Sequence, residues 1–166
     1  CPTVKISDIT GQIKDLICYV LENYDGKISL TGHSAGGHLV SRMVSVDQWK
    51  RSNLRSDLLN RLNHVVAISP ITDLRPLLKT SMNSKFKLNY NTAEQESPVF
   101  HTKMNVPFSV FVGENERPAF LSQAKYLCQA WSCSKIIANG KHHFNVLDDL
   151  ENERSDLVTL LTKTCR

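Results

Sequence analysis

A glycine-rich segment at residues 32–37, Gly-His-Ser-Ala-Gly-Gly, constrains the fold of this chain more than any other part of the sequence. It follows a short strand pattern at residues 27–31 and precedes a helical pattern at residues 38–48. A sharp strand-to-helix turn lifts its serine off the sheet, and glycines at both ends avoid collisions with neighbouring elements. The segment therefore predicts an exposed nucleophile at Ser34 and an oxyanion-binding N–H at Ala35. The alternative is a glycine-rich helix start without chemistry.

The rest of the chain alternates between strand and helix patterns. This alternation predicts an α/β fold, in which a largely parallel sheet carries helices on its faces. The predicted helices cover residues 8–24, 38–48, 118–131 and 145–164. The predicted strands cover residues 27–31, 64–69, 107–112 and 135–138. Between the second and third strands lies a long irregular segment, residues 70–99, and loops of that length are usually functional.

Length and composition favour a single globular domain and argue against two classes of partner. The chain has 166 residues, of which 41% are hydrophobic and 22% charged, so it can bury a core. Its net charge of +4 is spread out, and the lysines at 79, 85 and 87 lack interleaved aromatic residues. No run is apolar enough to span a membrane. We therefore expect no nucleic-acid or membrane partner, while the oligomeric state stays open.

The cysteines do not predict a metal site. There are five, at positions 1, 18, 128, 133 and 165, and no two have C-x-x-C spacing. Cys18 lies on the apolar stripe of a predicted helix and is expected to be a small core residue. Cys128 and Cys133 are expected to be free thiols, and a disulfide between them is the alternative. The sequence has no Asn-x-Ser/Thr glycosylation site, which favours a cytoplasmic location.

A serine nucleophile needs a general base, and histidine suits this role at neutral pH. In folds with this type of turn, the chain order is serine, acid, histidine, with the histidine in a loop after the last strand. His142 and His143 both lie there. We favour His143 because it directly precedes Phe144 and the final helical pattern.

The acid that orients the histidine is less certain from the residues alone. A carboxylate is expected after the strand at residues 107–112, where Glu114 and Glu116 are both found. Asp73, just after the strand at residues 64–69, is a third candidate. We favour Glu116, and the other two remain alternatives.

Several motifs resemble those of one enzyme family, the kynurenine formamidases or arylformamidases of the α/β-hydrolase superfamily. The segment at residues 32–39, Gly-His-Ser-Ala-Gly-Gly-His-Leu, resembles the family's nucleophile turn, whereas related esterases usually carry aspartate in place of His33. Four later segments resemble family motifs in the same order: Asp73-Leu74-Arg75-Pro76-Leu77, Ser97-Pro98, residues 113–120 and His143-Phe144. The similarity extends through nearly the whole chain.

The resemblance implies a reaction and a set of roles. Ser34 is the implied nucleophile and His143 the base, and Glu116 takes the position of the acid, where the family has aspartate. The reaction would be hydrolysis of N-formyl-L-kynurenine to L-kynurenine and formate in tryptophan catabolism, through a formyl-enzyme and without a metal or cofactor. A carboxylesterase acting on small acyl esters is the alternative.

The family also carries an H-G-G segment that supplies further oxyanion N–H groups, and no H-G-G occurs in this chain. Cys1-Pro2 resembles the end of the family's fourth strand. We therefore expect residues 1–166 to be the C-terminal part of a single α/β-hydrolase domain, a three-layer sandwich whose N-terminal strands are missing. On that expectation, a catalytically incompetent fragment is a further alternative.

Overall fold

Four parallel β-strands form the centre of the fold in the computed structural model, which describes residues 1–50 and 54–162. The strands lie side by side in chain order: β1 (Ile28–His33), β2 (Leu62–Ile68), β3 (Phe108–Gly113) and β4 (Ser134–Ala138). All positions of β3 and nearly all of β2 are buried, because both faces of the sheet are covered. The predicted α/β class with a parallel sheet is confirmed.

Helices form a layer on each side of the sheet. The α-helices are α1 (Ile6–Asn23), α2 (Ala35–Met43), α3 (Ser56–Leu59), α4 (Asn83–Phe86), α5 (Tyr90–Gln95), α6 (Pro118–Trp131) and α7 (Asp156–Thr162). Helices α2 and α6 pack on one face, and α7 packs with the 3₁₀ helix Asn145–Glu151 on the other. None of the helices in this part of the chain is long and apolar enough to cross a membrane.

Helical spacing of apolar residues explains how α1 joins the fold. Ile13, Ile17 and Leu21 recur every fourth residue and therefore share one face, which packs against Met43 of α2. Cys18 packs against the same cluster, in agreement with its predicted core role. The same cluster includes Ile28 and Leu30 of β1, so α1 packs beside α2 against the edge of the sheet.

The helix predicted at residues 145–164 is not continuous, so that prediction was wrong. It is divided into the 3₁₀ helix Asn145–Glu151 and α7, while residues 163–164 lie outside the described part of the chain. Side chains between the two segments bind main-chain N–H groups: Asn152 Oδ1 accepts from Arg154 at 3.0 Å, and Ser155 Oγ accepts from Val158 at 3.1 Å. These local bonds compete with helical ones and end the first segment.

Smaller differences occur elsewhere. The helix predicted at residues 38–48 begins three residues earlier, at Ala35, and ends at Met43, after which a 3₁₀ helix covers Val46–Gln48. Cys128 and Cys133 are both thiols, with their sulfurs 3.6 Å apart, and Cys165 lies outside the described residues. The irregular segment at residues 70–99 contains only short helical turns, as predicted.

Candidate active site

The candidate residues meet because their strands are parallel. Ser34 directly follows β1, Glu116 follows β3 and His143 follows β4. The carboxyl ends of parallel strands lie at one edge of a sheet, and ligands of open α/β folds bind at that edge. Residues that are far apart in sequence are therefore brought to one side of the molecule.

The turn at Ser34 is strained and sterically confined. Ser34 has φ 55° and ψ −111°, a conformation that costs a non-glycine residue about 1–3 kcal/mol. Its N–H donates to the carbonyl of Ile68 at 2.9 Å, which fixes the turn to β2. A Cβ on Gly32 would lie 2.3 Å from the carbonyl oxygen of Gly36, so β1 can approach the helix only with glycine there.

The second position that requires glycine is not the one expected from the sequence. A Cβ on Gly36 would meet nothing within 4 Å, so the expected collision at that end of the motif is wrong. The close approach instead involves Gly37, where a Cβ would lie 3.0 Å from Pro70. The segment after β2 packs against the helix at this point, and that packing makes the second small residue necessary.

Three side chains at this edge form a continuous hydrogen-bonded chain. His143 Nδ1 lies 2.9 Å from Glu116 Oε2, and His143 Nε2 lies 3.2 Å from Ser34 Oγ. With the ring proton on Nδ1, His143 donates to the carboxylate and accepts the serine hydroxyl proton through Nε2. The Glu116 side chain is fully buried, and its other oxygen accepts a hydrogen bond from the Ser69 hydroxyl. This arrangement can move a proton from serine to histidine.

The other candidates occupy different places. Asp73 pairs with Arg75, whose guanidinium lies 2.8 Å from its carboxylate. Glu114 accepts a hydrogen bond from the N–H of Gly140 at 2.8 Å. The ring Nδ1 of His142 accepts from the main-chain N–H of Phe144 at 3.2 Å. Within the described residues, the structure therefore brings Glu116 and His143, rather than these alternatives, to Ser34.

Ala35 places a main-chain N–H group beside Ser34. It is the first residue of α2, where helix geometry leaves the N–H without a partner four residues earlier. The positive end of the helix dipole reinforces this donor. An oxyanion formed on the carbonyl oxygen of a substrate held at Ser34 can therefore be stabilised from this side.

The sequence did not predict the contacts that three residues make near His143. Ser69, at φ 45°, binds Glu116; its position at the carboxyl end of β2 was the available signal. Phe120 stacks on the His143 ring, with centroids 4.0 Å apart and planes at 27°. His33 contacts the main chain of His143, and nothing in a single sequence indicates that contact.

Phe144 is also prominent at this site. Its ring meets His143 edge to face at 5.3 Å, and the residue is 76% exposed. Together with Phe120 it gives His143 apolar, aromatic neighbours on the side open to solvent. Across the described residues, no cluster of three or more His, Cys, Asp or Glu side chains could hold a metal ion.

Solved structures of other proteins share this architecture. A Silicibacter sp. TM1040 protein, described as a thioesterase by inference only, is 47% identical, with a TM-score of 0.90 over 98% of this chain and 60% of its own. The apo form of esterase 2 from Thermogutta terrifontis is 22% identical, with a TM-score of 0.66 over 86% of this chain and 57% of its own. The sheet and these matches show that the chain has the α/β-hydrolase fold.

Among curated proteins, the chain is similar to kynurenine formamidases. Those of Danio rerio and Salmo salar are each 26% identical, over 93% and 98% of this chain. The chain spans 56% and 58% of the length of these two relatives. No protein-family model matches the sequence. Both matches fit the α/β-hydrolase fold of the chain.

Proposed function

We propose that Ser34, His143 and Glu116 form the catalytic triad of an arylformamidase, which hydrolyses N-formyl-L-kynurenine to L-kynurenine and formate in tryptophan catabolism. The observation that carries the proposal is the unbroken hydrogen-bonded chain from Ser34 Oγ through the His143 ring to the buried Glu116 carboxylate. The similarity to kynurenine formamidases supports the choice of substrate.

The first half of the reaction transfers the formyl group to the enzyme. Ser34 Oγ attacks the formyl carbon while His143 Nε2 takes the hydroxyl proton. Glu116 stabilises the imidazolium that forms, and the Ala35 N–H donates to the oxyanion. The tetrahedral intermediate then breaks its C–N bond as His143 returns the proton to the leaving aryl nitrogen. L-Kynurenine departs, and a formyl ester remains on Ser34.

The second half uses the same groups on water. His143 Nε2 takes a proton from a water molecule whose oxygen attacks the formyl ester. The C–O bond to Ser34 breaks, formate leaves, and the serine oxygen recovers its proton from His143. No additional acid or base is needed, because the residue that accepts a proton in each attack returns it in the following step.

The aromatic side chains around the base support a substrate with an aryl leaving group. Phe120 stacks on the His143 ring, and the exposed ring of Phe144 contacts His143 on the side of the site that is open to solvent. Aromatic pairs in contact contribute about 0.5–1.5 kcal/mol beyond the burial of their area. An anilide ring held against Phe144 would place its nitrogen near His143, which protonates it.

A second candidate function is hydrolysis of a small ester or thioester by the same residues. The Silicibacter structure, with its inferred thioesterase activity, favours this alternative because its TM-score is 0.90. A catalytically incompetent fragment is the other alternative, since the chain spans little more than half of the formamidases it matches. Both alternatives make distinct predictions for labelling and turnover.

The test uses the protein expressed from its complete reading frame. A fluorophosphonate probe should label the protein, Ser34→Ala should abolish labelling, and the control Ser84→Ala, at an exposed serine, should leave it unchanged. The values of kcat/KM for formylkynurenine, a nitrophenyl acetate and an acyl thioester are then compared. The highest value should be for formylkynurenine. A higher value for either ester would replace the formamidase assignment. Labelling of the complete protein but not of residues 1–166 expressed alone would favour the incompetent fragment.

A further inference from the structure

His33, the last residue of β1, precedes the nucleophile and contacts the loop that carries the base. Its Nε2 lies 2.7 Å from the main-chain oxygen of His143. The two imidazole rings lie 4.5 Å apart, with planes inclined at 44°. His33 thus binds the backbone of His143, whereas Ser34 and Glu116 bind its ring.

The strand order shows why such a link matters. Ser34 follows β1 and His143 follows β4, and these two strands are at opposite edges of the described sheet. Three strand spacings of about 4.8 Å put them roughly 14 Å apart. The loop after β4 must therefore reach back across β3 and β2 to bring His143 within 3.2 Å of Ser34 Oγ. A loop that extends so far needs an anchor at its end.

We propose that His33 is a positioning residue, whose Nε2–H donates to the main-chain oxygen of His143 and holds the imidazole within reach of Ser34. The inference rests on the proposed roles of Ser34 and His143. Because His33 is adjacent to Ser34, the same backbone that places the nucleophile also fixes the loop bearing the base. Movement of one reacting group relative to the other is thereby limited.

The charge state of His33 suits this role. Burial, and then the neighbouring charge of His143, lower the pKa of His33 below its usual 6.5. Glu116 is the acidic group that acts on it in the opposite direction. A neutral His33 keeps its Nε2–H as donor without placing a positive charge beside His143, where it would oppose formation of the imidazolium. The hydrogen bond, rather than a proton transfer, is what His33 provides.

Variants that keep or remove the donor test the proposal. His33→Leu and His33→Met lack an N–H, whereas the side-chain amide of His33→Gln provides one at similar reach. His101→Leu is the matched control, since His101 Nε2 makes the same kind of bond to the Gln95 carbonyl at 2.8 Å, away from the site. Three properties of each variant are measured. They are the thermal midpoint of unfolding, the rate of fluorophosphonate labelling of Ser34, and kcat and KM for formylkynurenine.

Misplacement of a reacting group by about 1 Å costs on the order of 100-fold in rate. We expect His33→Leu and His33→Met to lower the labelling rate and kcat by about 10- to 100-fold with KM nearly unchanged, and His33→Gln to restore both to within about threefold. The His101→Leu control should label like the parent protein.

Equal labelling rates for parent, Leu and Gln variants would overturn the inference, and so would equal impairment of the Leu and Gln variants. If His33→Leu does not fold, the comparison of Met with Gln decides. Labelling reports on Ser34 and His143 whatever the natural substrate is, so a parent protein that labels but prefers esters would leave this inference standing. A parent protein that does not label would overturn both proposals.

Discussion

His38 and His143 both contact a glutamate residue, and the two contacts differ in kind. His143 binds the Glu116 carboxylate through Nδ1 and faces the Ser34 hydroxyl through Nε2. His38 instead binds the main-chain oxygen of Glu96 through Nε2, at 2.6 Å, and is only 4% exposed. Burial is the main cause that lowers the pKa of His38 to about 4.

The surroundings of His38 form a buried network that joins several elements. The Glu96 carboxylate accepts from Thr10 of α1 at 3.1 Å and lies 3.6 Å from Arg42 of α2. Arg42 in turn pairs with Asp47 at 3.0 Å. These contacts attach the end of α5 to α1 and α2, so their role is to hold the long segment after β2 in place.

A histidine next to a glutamate is therefore not by itself a general base. The base needs a carboxylate on one ring nitrogen and a reacting group at the other, with access for a substrate. His143 has both, whereas the Nε2 of His38 binds a backbone carbonyl and the residue is buried. Mutations at the first site should therefore change turnover, and mutations at the second should change stability.

The largest effect is expected at Ser34. Ser34→Ala should lower formylkynurenine turnover by about 10⁶ while the fold is retained, because the members of a triad act as a unit. Steady-state kinetics and circular dichroism of the same preparation measure the two properties. Retention of a tenth of the parent activity would show that Ser34 is not the nucleophile.

The acid should come next. Glu116→Gln removes the charge that stabilises the His143 imidazolium, and kcat should decrease by about 10⁴, as on neutralisation of a triad aspartate. Asp73→Asn and Glu114→Gln serve as matched controls, because their carboxylates bind Arg75 and Gly140 instead. If Asp73→Asn were the more damaging substitution, Asp73 would be the acid and Glu116 a buried structural residue.

At His38 the expected effect is on stability and depends on pH. Its pKa is about 4 in the folded chain, against an ordinary value of 6.5 that applies once the chain unfolds, so only the unfolded chain binds this proton between those pH values. Stability therefore decreases as the pH falls from 6.5 to 4, by about 3 kcal/mol. Glu96, whose pKa is raised by burial, opposes part of this decrease.

Urea unfolding of the parent and His38→Gln between pH 7 and pH 4 measures this contribution. Glutamine keeps an N–H for the Glu96 carbonyl and does not titrate, so the variant should lose less stability on acidification. Its kcat at pH 7 should stay within about threefold of the parent value, since His38 does not touch the reacting groups. Identical pH dependence of the two proteins would mean that His38 does not carry the effect.

The smallest effect is expected at Phe144. If its exposed ring contacts the aryl leaving group, Phe144→Ala should lower kcat/KM for an N-formyl anilide by up to about tenfold and leave an N-formyl alkylamine nearly unchanged. The control Tyr126→Ala removes another exposed aromatic side chain, which lies on α6. Equal losses on both substrates would indicate that Phe144 supports His143 rather than the substrate.

Sequence patterns were enough to predict the parallel α/β sheet, the turn at Ser34 and the chain order of the candidate site residues. Apolar periodicity depends on which residues face the core, and the turn depends on glycine at positions where a Cβ collides, as at Gly32. Both properties are local, so they can be recognised in one sequence. The break before α7 is local too, but the polar side chains that cause it lie within a strong helical pattern.

Which carboxylate and which histidine lie near Ser34 depends on the tertiary structure. Spacing places Glu114, Glu116 and Asp73 at the same edge of the sheet, yet their side-chain directions depend on the turns and on competing partners. Asp73 pairs with Arg75, and Glu114 binds a main-chain N–H, which leaves Glu116 for His143. The His33 contact likewise joins residues 110 positions apart, and distances of that kind are set by the packing of the sheet rather than by any local pattern.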